Sequence, residues 1–158
     1  MNSKLFKLIP ILMLLLLGLT ISNCQRDQQK SVEGPTIALV LKTLNHPFFI
    51  DMQRGAEDAA DSLSVNLIIQ AAEREVDVEK QMQIIENLIQ RKVDAICVAP
   101  SGSRELVPVI LKANEAGIPI VTMDTRVDSA TLAEIGAKVV TYIGGDNDEG
   151  GRIAGECV

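Results

Sequence analysis

Thr36-Ile37-Ala38-Leu39-Val40-Leu41-Lys42-Thr43-Leu44-Asn45-His46-Pro47-Phe48-Phe49 changes character twice. Residues 37–41 are an unbroken apolar run, which suits a strand buried on both faces. Lys42, Thr43, Asn45 and His46 then make a polar corner. Pro47 stands where a first helical residue belongs, since its missing N–H costs nothing there. Neighbouring side chains on a helix diverge by about 100°. Phe48 and Phe49 therefore cannot both face one core, and the second ring has the mouth of the strand–helix corner available to it.

Working outward, Phe49, Met52, Ala56, Ala59 and Leu63 recur at steps of three and four. That spacing predicts an amphipathic helix over residues 47–63, with its acidic residues in water. Phe49 belongs to the helix's core stripe, which makes Phe48 the ring left for the mouth. A second strand is expected over 65–69. Asp77 is placed to cap the next helix, in which Val78, Met82, Ile85 and Ile89 share a face. Residues 93–99 read as a third strand, and 105–116 as a helix that starts late or bends at Pro108 and stops at Gly117. Residues 118–123 read as a fourth strand ending at Asp124-Thr125-Arg126. The pattern loosens over 127–138, a fifth strand follows over 139–143, and a last helix begins at Glu149.

Strands alternating with helices imply right-handed crossovers and a parallel α/β sheet flanked by helices. Such sheets bind ligands at the carboxyl ends of their strands, near a switch in strand order. Residues 42–46, 100–103 and 124–126 fall there.

Upstream, Lys4 and Lys7 precede an uncharged run over residues 8–24 that includes Leu14-Leu15-Leu16-Leu17. A basic start before a short apolar core reads as a secretory signal. At about 25 Å as helix the run also lies at the lower end of membrane-spanning lengths, so an anchor is the competing reading. Ile21-Ser22-Asn23-Cys24 resembles a bacterial lipobox, although Asn23 departs from the small residue usual before the cysteine. Residues 1–23 are thus expected to be a lipoprotein signal, Cys24 the lipidated residue that holds the chain to the bilayer, and 24–35 a polar tether.

Removing residues 1–23 takes away Lys4 and Lys7 and no acid, leaving 13 bases against 21 acids, a net charge of −8. Nothing resembles a basic footprint for nucleic acid. Three cysteines and one histidine show no metal-ligand spacing, so no metal and no cofactor are expected. Cys97, within an apolar run, reads as a small hydrophobe.

The stretch from residue 36 to 158 resembles the periplasmic sugar-binding proteins of the ribose and galactose type. These are type I solute-binding receptors of ABC transporters, related to the ligand domains of the lactose-repressor family. The resemblance rests on Thr43-Leu44-Asn45-His46-Pro47-Phe48-Phe49, Gly55-Ala56, Asp94-Ala95-Ile96, Ala99-Pro100-Ser101, Ala116-Gly117-Ile118-Pro119, Met123-Asp124, Gly145-Asp146-Asn147 and Gly150-Gly151-Arg152-Ile153-Ala154-Gly155. It implies a periplasmic-binding-protein-like type I fold, with two lobes closing over one sugar. Residues 36–138 would be the first lobe, nearly complete, and 139–158 the first hinge crossing and the opening of a truncated second lobe.

The resemblance also implies a site. Phe48 and Phe49 match an aromatic pair of which at least one packs on the sugar ring. His46 stands where ribose-binding members carry a contacting Asn, and Lys42 where they carry Ser. Asp124 matches the acid that accepts from sugar hydroxyls. Thr125 replaces a frequent Arg and Ala99 an Asn, and Arg126 is the candidate for the missing guanidinium. Simpler readings compete. Phe48 can be a core or interlobe residue, Asp124 a turn residue, His46 a helix-cap neighbour, and Lys42 and Arg126 solvated loop charges.

The function expected is an exported, lipid-anchored protein of the periplasm or cell envelope. It would capture a monosaccharide for an inner-membrane ABC permease, and it would not be an enzyme. A sugar or autoinducer sensor feeding a signalling partner is the alternative. An α/β hydrolase is a weaker one, since there is one histidine and no G-x-S-x-G. With half the cleft missing, residues 25–158 are not expected to bind a sugar tightly.

Overall fold

Five β-branched or aliphatic side chains in a row leave residues 37–41 no solvent-facing side, and the fold gives them a central position. In the computed structural model, which describes residues 34–157, β1 (Thr36–Leu41) lies between β2 (Asn66–Ala71) and β3 (Ala95–Val98). β4 (Ile120–Met123) and β5 (Thr141–Ile143) extend the sheet, giving the order β2-β1-β3-β4-β5 with every pairing parallel. The expected leader, Cys24 and most of the tether lie outside the described residues. Strand order reverses between β1 and β3, so a crevice opens above their carboxyl ends.

The helices are α1 (Pro47–Leu63), α2 (Val78–Gln90), α3 (Val107–Glu115), α4 (Ser129–Ile135) and α5 (Asn147–Glu156). Period-2 alternation splits the strands between two cores. Ala38, Val40, Ile96, Val98 and Ile120 pack with Ile85, Leu88, Ile110 and Ala113 of α2 and α3. Leu39, Leu41, Ala99 and Phe49 form the second cluster, joined by Met52, Ala56, Leu67, Ile69, Cys97 and Met123. Cys97 thus packs as an apolar residue, and burial pushes its thiol above the usual range.

Local chemistry sets the ends of α1. His46 takes the N-cap, its Nδ1 accepting from the Phe48 N–H at 3.2 Å, with Pro47 in the first turn. Ser64 ends the helix in the left-handed region, φ 55°. Pro108 sits in the first turn of α3, which starts late as the sequence implied, and Gly117 follows at φ 77°.

Four expectations are corrected. Leu63 is 72% exposed and Ala59 also faces outward. The core stripe of α1 stops at Ala60, and its last turn borders an open apolar groove with Ile37, Leu39, Cys97 and Met123. Asp77 stands at the N-cap of α2 without bonding it, because its carboxylate is taken by Arg74 at 2.6 Å. The loose stretch after Val127 contains α4, whose seven residues bury no side chain fully and so carry little periodicity. Asp128 starts that helix by accepting from the Thr131 N–H at 2.8 Å. Finally, α5 begins at Asn147 rather than Glu149, with Asp146 as its cap.

Candidate ligand-binding site

Three strand ends and one helix start meet over the crevice. β1 delivers Lys42, whose ammonium donates to Asp124 Oδ2 and to Thr125 Oγ1, both at 2.8 Å. The Lys42 side chain is only 16% exposed and that of Asp124 28%. Lys42 is therefore not the solvated loop charge of the simpler reading but half of a largely covered ion pair. Its Nζ also lies 5.8 Å from the centroid of the Phe49 ring, within cation–π range.

The two aromatics divide as helix geometry requires. Phe49 is 3% exposed and Phe48 49%. Their rings meet edge to face at 5.2 Å, so the buried ring fixes the exposed one. The route from Phe48 to Asp124 runs through Phe49 and Lys42. His46, already engaged as the cap, keeps Nε2 for other partners and lies edge-on to Phe49 at 6.1 Å.

The corner itself is pinned from beneath. Thr43, buried to 4% exposure, donates from Oγ1 to the Glu73 carbonyl at 3.1 Å, and Asn45 Nδ2 donates to the same oxygen at 3.1 Å. Gln81 of α2 is fully buried. Its amide donates to the Ala99 carbonyl at 2.9 Å and to the Leu41 carbonyl at 3.4 Å, while its oxygen accepts from the Ser101 N–H at 2.8 Å. One side chain thus ties the ends of β1 and β3 together. Among the described residues Ser101 Oγ is buried without a partner.

At the end of β4, Asp124 adopts φ 61°, a left-handed conformation that Asp tolerates better than most residues. Its N–H donates to the Ile143 carbonyl at 3.0 Å and its carbonyl accepts from the Tyr142 hydroxyl at 2.9 Å. The Arg126 guanidinium lies 3.6 Å from the centroid of the Tyr142 ring. Asp124, Thr125, Arg126, Tyr142 and residues 144–148 line a cavity of about 650 Å³.

The expected residues are therefore brought to one end of the sheet. Lys42, Asp124 and Phe49 form a connected cluster, Phe48 and His46 flank it on α1, and Arg126 borders the cavity. Sequence reading placed Thr43 in the polar corner without its role as a pin, and missed Gln81 and Tyr142. Gln81 carried a signal, because it stands three residues after Val78 and four before Ile85, a polar residue at a core position of an apolar stripe. Tyr142 carried none that periodicity reads.

Residues 37–158 match the periplasmic binding protein domain. The D-ribose/D-allose-binding protein of Pseudomonas aeruginosa is 40% identical over 130 residues, 78% of this chain and 39% of the relative. The D-allose-binding periplasmic protein of Escherichia coli is 37% identical over 110 residues, 70% of this chain and 35% of the relative. A solved structure of a periplasmic solute-binding protein from Actinobacillus succinogenes, with bound D-allose, superposes with a TM-score of 0.72 at 43% identity. That match covers 75% of this chain and 41% of the other. The chain spans about two fifths of the length of these relatives. On the match across residues 37–158, the chain belongs to the periplasmic binding protein family, whose members bind solutes for transport and are not enzymes.

Proposed function

We propose that this chain belongs to an exported protein that captures a neutral aldose of the ribose or allose class and presents it to an ABC permease. Residues 36–138 supply the first lobe, and 139–158 the first crossing and the opening of the second. Residues 1–23 are the export signal, and Cys24 the lipidated anchor at the membrane surface.

The observation that carries this reading is the Lys42–Asp124 pair at the strand-order switch. The lysine and the Thr125 hydroxyl both bond Oδ2, and among the described residues Oδ1 receives no hydrogen bond. An ammonium has three donors, of which two are engaged here. The pair can thus offer one strong acceptor and one strong donor side by side, which fits two adjacent hydroxyls of a sugar. Balanced in place, the two charges favour an uncharged ligand. The exposed face of Phe48 offers apolar area to the C–H face of the same ring. The names of the relatives point to ribose and allose among such ligands. His46 and Arg126 are further contacts in this reading, and Phe49 is the ring behind Phe48.

Nuclear magnetic resonance titration of residues 25–158 with D-allose and D-ribose tests it. Saturable shifts at Lys42, Phe48 and Asp124, weakened but still measurable in Asp124→Asn, are expected. One wall of a cleft gives weak affinity, since closure around the ligand supplies the remaining contacts. Absence of saturable shifts at these residues, or an unaltered response in Asp124→Asn, would overturn the reading. Fatty-acid labelling of cells expressing the chain, lost in Cys24→Ser, checks the anchor.

A further inference from the structure

Asp124 holds a backbone conformation that a non-glycine residue keeps only where its surroundings over-determine it. A local turn contributes, the Thr125 N–H donating to the Met123 carbonyl at 2.7 Å across residue 124, and the two remaining determinants come from one neighbouring strand. The Ile143 carbonyl takes the Asp124 N–H at 3.0 Å, and the Tyr142 hydroxyl donates to the Asp124 carbonyl at 2.9 Å. Both peptide groups flanking the Asp124 Cα are therefore fixed by consecutive residues of β5.

The tyrosine is itself held. Its ring lies so close to Gly144 that a Cβ built there would meet the Tyr142 hydroxyl oxygen at 2.0 Å and Cζ at 2.4 Å. Any side chain at 144 would displace the ring, so the glycine is what lets the hydroxyl reach over the strand end to residue 124. The Arg126 guanidinium, 3.6 Å from the ring centroid, adds a charged plane to the aromatic one.

We infer that Tyr142, seated against Gly144, is a positioning residue that clamps the Asp124 backbone so that the carboxylate points to Lys42 and the ligand. The inference rests on the sugar reading for the identity of the ligand, but not for the clamp itself. It has a functional consequence. β5 is the strand that leaves the sheet towards α5, so a shift of β5 moves the carboxylate through two hydrogen bonds.

Hydrogen exchange at the Asp124 amide, followed by nuclear magnetic resonance in the whole chain, tests the clamp without any ligand. Tyr142→Phe keeps the ring and its stacking and removes only the hydroxyl. It should speed exchange at Asp124 by roughly five- to tenfold, the worth of one hydrogen bond, with the β3 amides Ile96 and Val98 unchanged. Gly144→Ala, which displaces the ring by sterics, should do the same, and Phe48→Ala should leave Asp124 exchange as it was. If both Tyr142→Phe and Gly144→Ala stay within about twofold of the parent at Asp124, the clamp is overturned. The ligand arm uses D-allose. Weakening by Tyr142→Phe that disappears in the Asp124→Asn background supports positioning, and equal weakening in both backgrounds refutes it. Should the parent chain give no allose response, the sugar reading falls while the exchange result still decides the clamp.

Discussion

Lys42 and Asp124, 82 residues apart, meet at 2.8 Å across the carboxyl end of the sheet, with β3 between their two strands. Each has lost most of its water, and each finds its compensation in the other. Removing the lysine leaves a carboxylate that must either rehydrate or stay uncompensated. The pair lies between the exposed and the buried regimes, so Lys42→Met should cost about 1–2 kcal/mol in urea unfolding. Lys42→Met and Asp124→Asn combined should cost less than the sum of the single changes, and strict additivity would mean the pair is not coupled.

Phe48 and Phe49 should separate stability from binding. Truncating the buried ring by Phe49→Ala opens a cavity in the α1-side core and should cost about 3–5 kcal/mol. Truncating the exposed ring by Phe48→Ala should cost less than about 1 kcal/mol, while weakening the response to allose at least as much as it weakens folding. Denaturant unfolding beside sugar titration of both variants reads the split. A Phe48→Ala chain with an intact sugar response removes that ring from the site.

Gln81 is a polar side chain at full burial, and its worth lies in the groups it satisfies. Gln81→Met keeps the volume and strands the Ala99 carbonyl and the Ser101 N–H. Unfolding free energy should fall by about 2–3 kcal/mol. Resonances of Leu41, Ala99 and Ser101 should move together, because the ends of β1 and β3 lose their common tie. A loss below about 0.5 kcal/mol would mean that water replaces the amide at no cost.

The cap of α4 predicts a pH dependence. The Thr131 hydroxyl first, then its N–H, with Arg104 a smaller contributor, hold the Asp128 carboxyl below the usual carboxylate range. A lowered folded value means that the unfolded chain takes up the proton first. The stabilisation is thus complete above the unfolded value of about 3.9 and is lost as pH falls through the lower folded value. Asp128→Asn keeps an acceptor at the cap but does not titrate. The gap in thermal midpoint between parent and variant should close as pH drops from about 5 to 2. Asp77 and Glu149 are lowered by Arg74 and Arg152 and titrate in the same window, so the difference between the two chains is the quantity to follow.

Much of the site was legible because local rules govern it. The Pro47 start, the Phe49 stripe and the stranding of Phe48 at the surface follow from helical spacing alone. Gly117 and the late start of α3 follow from backbone permissions at Gly and Pro. Where spacing gave no guide, the reading failed. Asp77 had two partners within reach, and the arginine three residues away won over the helix N–H groups. Leu63 belonged to a helical stripe by phase, yet nothing among the described residues covers its turn.

The sequence by itself determined the alternation of strands and helices apart from α4, the parallel sheet and the end of it where polar residues collect. Those features depend on hydrophobic period, caps and chirality, which act within a few residues along the chain. Only the tertiary structure decided which groups in that crevice pair. Lys42 found Asp124, Gln81 found two strand ends, and Tyr142 closed over Gly144 to reach residue 124. Such pairings depend on distances across strands far apart in sequence and on which charges lose their water together, and neither quantity is written in local spacing.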